Sequence, residues 1–92
     1  MSEPAIARIK QALQSQRLTI NALDDGSGVL LDVEGEQMLT LNRTGMRLVQ
    51  AIDEGAESLQ VLASVMTGQF EVSSEQAEND ARAFIDEIAA AL

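Results

Sequence analysis

Apolar residues along this chain first recur at helical spacing, then alternate with polar ones, then return to helical spacing, and each change of period marks an element boundary. Ser2-Glu3-Pro4 puts a capping residue, an acid and a proline ahead of Ile6, Ile9 and Leu13, which predicts a helix over residues 4–16. Its stripe is narrow, flanked by Ala5 and Ala12, so the helix reads as an accessory arm lying on a surface. From Arg17 the period becomes two: Leu18, Ile20 and Ala22 alternate with polar residues, and Asp24-Asp25-Gly26-Ser27-Gly28 carries strong turn chemistry. A strand over residues 29–33, a turn at Glu34-Gly35-Glu36 and a strand over residues 37–41 complete an antiparallel meander. Three helices follow. Asn42 caps the first, which carries Gly45, Leu48, Val49 and Ile52 on one face and ends at Asp53-Glu54-Gly55. Ser58 caps the second, which carries Leu59, Leu62, Ala63 and Met66 and stops at Gly68. Ser73 and Gln76, at capping-box spacing, open the last, whose inward face is Ala77, Ala81, Phe84, Ile85, Ile88 and Leu92.

The pattern therefore predicts an α+β domain resembling a winged helix: a three-stranded meander followed by a three-helix bundle, with an extra N-terminal helix. Residues 1–16 are read as the accessory helix and residues 17–92 as the domain proper. Ninety-two residues suit a single core, and with only two aromatic residues that core must be aliphatic.

Composition bears mainly on function. The chain has no cysteine and no histidine, which removes thiolate nucleophiles, imidazole bases, disulfides and Cys/His zinc clusters, and no catalytic constellation is found. It is read as a non-enzymatic protein that needs no cofactor or metal. Fifteen acidic residues against six basic ones leave a net charge of -9, which repels phosphate backbones and anionic lipid. The winged-helix outline raises DNA binding as a reading. Against it, the last two helices contain one basic residue, Arg82, beside Glu75, Glu78, Asp80, Asp86 and Glu87. No long apolar run and no signal-type N-terminus is present, so the expectation is a cytoplasmic protein with no membrane partner.

Two acidic turns invite a test for cation sites. Aligning the calcium-loop glycine on Gly26 puts Leu23 at a ligand position and Asp32 where a bidentate glutamate belongs, so the first is read as a hairpin turn. Asp32, Glu34 and Glu36 alternate around the second and are read as a solvated hairpin end.

From Val29 onward the chain resembles the PqqD family, named for the peptide chaperone of pyrroloquinoline quinone synthesis and including the leader-recognition domains of peptide-modifying enzymes. The resemblance rests on Leu41-Asn42-Arg43-Thr44-Gly45 opening a helix that ends Ile52-Asp53-Glu54-Gly55, then Phe70-Glu71-Val72-Ser73, then Asp80-Ala81-Arg82-Ala83-Phe84-Ile85. It implies a domain that binds the leader of a ribosomally made precursor peptide and delivers it to a modifying enzyme, often a radical SAM protein. The meander offers an independent rationale, because the open edge of its third strand can accept an extended peptide as a fourth strand. The expected peptide-binding residues are Gln37, Met38, Leu39, Thr40 and Leu41 on that strand. Arg82, Ile85 and Ala89 on the last helix are expected to form the facing wall. The opposite border of that helix carries Asp80 and Glu87, so the Arg82 side is expected to receive an apolar peptide residue flanked by an acid.

Ile6, Ile9 and Leu13 would leave an exposed stripe unless covered, which suggests a homodimer contact or a cover for the strand edge. A dimeric scaffold or regulatory subunit, its groove filled by its own or a partner's segment, is thus the alternative to the peptide chaperone.

Overall fold

A computed structural model of the chain describes residues 2–92, with side chains described from residue 4. The elements run α1 (Ser2–Gln14), β1 (Leu18–Ala22), β2 (Gly28–Asp32), β3 (Gln37–Leu41), α2 (Arg43–Glu54), α3 (Leu59–Gln69) and α4 (Ser74–Ala91). The sheet is an antiparallel meander in the order β1-β2-β3, with Leu30 opposite both Ile20 and Leu39. Leu18, Leu30 and Leu41 point from it into the core. Leu31 and Met38 pair on the outer face and stay exposed.

Local chemistry accounts for most boundaries. Gly26 has φ 92 in the β1–β2 turn, a conformation that side-chain-bearing residues adopt at a cost. Asn42 accepts a hydrogen bond from the Gly45 amide at 2.8 Å, Ser58 from Val61 at 3.2 Å and Ser73 from Gln76 at 3.1 Å, so all three C-terminal helices start at side-chain caps. The capping box at Ser73 forms by half, because the Gln76 side chain donates forward to Asp80 at 2.8 Å. Gly68 does not end α3, which runs on to Gln69; Phe70 stops it by turning extended while its amide still bonds to Met66. α1 starts at Ser2, earlier than expected, and the capping role read for the Ser2 side chain lies outside the described residues.

The N-terminal helix departs most from expectation. Ile6, Ile9 and Leu13 are 1%, 0% and 9% exposed, and they belong to the same core cluster as Leu48, Ile52, Leu62 and Ile85. α1 packs mainly on α4, with further contact to α2, so its stripe is covered within the chain and is not free for a second copy. The expected exposed stripe, and a dimer contact built on it, are corrected accordingly. Helical spacing over two turns shows that a face is apolar, whereas only the path of the chain shows what covers it. Residues 2–16 and 17–92 share one core.

Candidate functional site

Two features of the fold meet along β3. It pairs with β2 on one side only, so among the described residues its other edge keeps a row of unpaired amides and carbonyls. α4 packs on α1 and α3 and not closely on β3, which leaves a groove between strand and helix. The groove holds a cavity of about 420 Å³ between Met38 to Asn42 on one wall and Phe84, Glu87, Ile88 and Ala91 on the other. That volume lies within the roughly 300–1,000 Å³ of ligand clefts.

Each wall is set by the sequence around it. β3 alternates, so Leu39 and Leu41 turn inward while Met38 and Thr40 stand at the rim, and Met38 is 67% exposed. Phe84 reaches its place by packing on Gly45, where an added Cβ would come within 2.7 Å of the Phe84 Cε1 atom. The glycine of the Asn42-Arg43-Thr44-Gly45 segment thus leaves room for the aromatic wall of the groove. Ile88 is nearly buried and closes the groove floor.

A buried carboxylate holds the far end. Asp32 is the only buried charged residue among those described, at 2% exposed. Its Oδ1 accepts from Arg17 Nε at 3.1 Å and from the Gly35 amide at 3.1 Å, and its Oδ2 accepts from Gln37 Nε2 at 2.9 Å. The Gln37 bond, then the Gly35 amide, then Arg17 hold the Asp32 pKa down at about 2, because all three favour the charged form. Gln37 Nε2 also donates to the Ala91 main-chain oxygen at 2.8 Å, and Arg17 Nη2 to that of Leu92 at 3.2 Å. The start of β3 is therefore tied to the end of α4 through Asp32, which brings the two walls together there. The expected solvated hairpin end holds for Glu34 and Glu36, which are exposed, and is corrected for Asp32. Its signal in the sequence was present: Asp32 falls in phase with Leu30 on the inward face of β2.

The residues expected on α4 are placed differently. Ile85 and Ala89 are core residues, 0% and 6% exposed, packed away from the groove. Arg82 does not line the groove and pairs with Glu78 at 3.1 Å. The groove instead runs along the Glu87 border, through Phe84, Ile88 and Ala91. α1 and α3 occupy the side of α4 that carries Ile85, leaving the Glu87 border to face the strand. On β3 the structure brings Met38, Leu39, Thr40 and Leu41 to the cavity, while Gln37 serves the Asp32 tie. Among the described residues no cluster of carboxylates could hold a metal ion, and no helix is long and apolar enough to cross a membrane.

The family model for coenzyme PQQ synthesis protein D (PqqD) matches residues 27–91. A solved structure, lasso peptide synthetase B1 complexed with the leader peptide, is similar at 27% identity and a TM-score of 0.70, covering 80% of this chain and 85% of that one. None of the curated proteins is similar enough to match.

Proposed function

Since the chain belongs to the PqqD family, whose model spans residues 27–91, we propose that it is a non-catalytic peptide-binding domain that captures the leader of a precursor peptide and presents it to a modifying enzyme. The observation that carries this reading is the coincidence of an unpaired strand edge with a cavity beside it whose lining mixes apolar and polar groups. Either feature alone is common. Together they supply what strand addition needs: main-chain partners for affinity and a pocket for alternate side chains. Five β3 residues offer a pairing length of about 17 Å, enough for a short extended segment. The structurally similar lasso synthetase component is itself complexed with a leader peptide, which favours the same class of ligand here. The identity of the modifying enzyme, a radical SAM protein or another, is part of the proposal and is open to a pull-down with candidate enzymes.

In this arrangement Leu39 and Leu41 form the strand side of the pocket and Phe84 and Ile88 the helix side. Titrating the isotope-labelled protein with the leader of a precursor encoded beside it should move the amide signals of residues 38–41 together with those of Phe84 and Ile88. Shifts confined to the Arg82 face of α4, or no shifts with any neighbouring leader, would remove the reading. The dimeric scaffold loses its original support, because the stripe invoked for it is internal.

A further inference from the structure

The lining of the groove mixes apolar side chains with polar ones. It contains one charged side chain, Glu87, which is exposed and forms no ion pair with any described side chain. All six basic residues sit elsewhere. Arg8 and Arg17 border a separate cavity on the α1 side, and Lys10 pairs with Glu57 at 3.0 Å. Arg43 and Arg47 flank the hollow beside Gly26 and Phe70, and Arg82 is held by Glu78. Among the described residues no basic side chain pairs with Glu87, and the net charge of -9 adds to the negative potential there.

We propose that the groove selects an extended leader segment carrying a lysine or arginine two residues from an apolar anchor, and that Glu87 is the residue that reads the base. The proposal rests on the peptide-binding reading above. Its spacing follows from strand geometry. Residues i and i+2 of an extended peptide share a face about 6.8 Å apart, so an anchor lying between Leu39 and Ile88 directs its same-face neighbours along α4. A Lys or Arg stem can then lie on the apolar rim while its head reaches the carboxylate. An acidic residue at that place would meet Glu87 with no base to compensate. This reverses the preference expected from the Arg82 side of the helix, because the groove runs along the other border.

The test is selection of a displayed library of random peptides on the intact protein, repeated on Glu87→Gln and Glu87→Lys. Glu87 is exposed, so both variants should fold as the parent does. The expected result is enrichment of Lys or Arg two places from a large apolar residue. Synthetic copies of the selected peptides should bind Glu87→Gln about two- to fivefold more weakly, the effect of losing one partly exposed ion pair. Glu87→Lys should weaken them on the order of tenfold and shift the selection toward acidic residues. Enrichment of apolar residues with no preferred charge would overturn the assignment and leave peptide binding intact. A basic preference that survives unchanged in Glu87→Gln would trace it to net charge and overturn the role of Glu87. If no peptide of any charge is enriched, the peptide-binding reading fails and this one with it.

Discussion

Asp32 shows how one side chain can join parts of the chain that are distant in sequence. Gln37 Nε2 uses its two hydrogens on two acceptors, Asp32 Oδ2 and the Ala91 oxygen. Replacing Asp32 with Asn puts an amide N–H in place of one carboxylate oxygen, facing either Gln37 Nε2 or the Gly35 amide and Arg17, so part of the tie must be released. Asp32→Asn should therefore melt several degrees below the parent, and its weakened tie should appear as shifts at Gln37 and Ala91. The direction of the pH effect follows from the lowered pKa. An unfolded aspartate titrates near 3.9 and the folded one at about 2, so its stabilisation is fully present above pH 4 and drains away as pH falls from about 4 to about 2. An acid titration of parent and Asp32→Asn should show the parent losing its advantage across that window. Equal acid sensitivity in both would mean that the charge on Asp32 contributes nothing.

At the scale of elements, α1 is a part of the core. A 13-residue helix is marginal in water by itself, and here it forms by burying Ile6 and Ile9 completely against α4 and α2. Truncating Ile9 to Ala should cost about 2–5 kcal/mol, a large part of the roughly 5–15 kcal/mol typical of a small domain. Urea unfolding of Ile9→Ala should show a lower midpoint with an unchanged slope, and the oligomeric state measured by light scattering should stay that of the parent. A change of oligomer without loss of stability would restore the dimer contact. α1 also reaches the groove indirectly, because by packing on the Ile85 side of α4 it leaves the Glu87 border facing β3.

For the molecule as a whole, charge and compactness oppose each other. The radius of gyration of 12.2 Å matches the ~12 Å expected of a compact chain this long, so α1 does not project. Packing a net charge of -9 into that volume costs self-repulsion. Salt screens both this repulsion and the attractive ion pairs, and the comparison of sizes decides the sign. Lys10 with Glu57, Arg47 with Glu54 and Arg82 with Glu78 are surface pairs worth ~0–1 kcal/mol each, and the Arg17–Asp32 pair is shielded from screening by its burial. Repulsion should dominate, so the melting temperature should rise as sodium chloride is raised from low to physiological concentration. A fall would show that the pairs matter more than the net charge.

The sequence by itself determined the order of elements, the three side-chain caps and the meander, because each depends on residues within a few positions of one another, and the family resemblance, because it rests on the order and spacing of such short segments. Asn42 with Gly45, Ser73 with Gln76 and the alternation of Leu39 with Leu41 are such local relations. The apolar arc of α4 was legible in the same way, but not which part of it stays open. That depended on where α1 and α3 dock on α4, and α1 lies at the opposite end of the chain from it. Ile85 and Ala89 were consequently taken into the core, Glu87 into the groove, and Arg82 onto the outer surface. The burial of Asp32 was decided there too. A carboxylate can leave water only where Arg17, Gly35 and Gln37 converge on it, and that convergence exists only once the strands have paired and the end of α4 has closed over them.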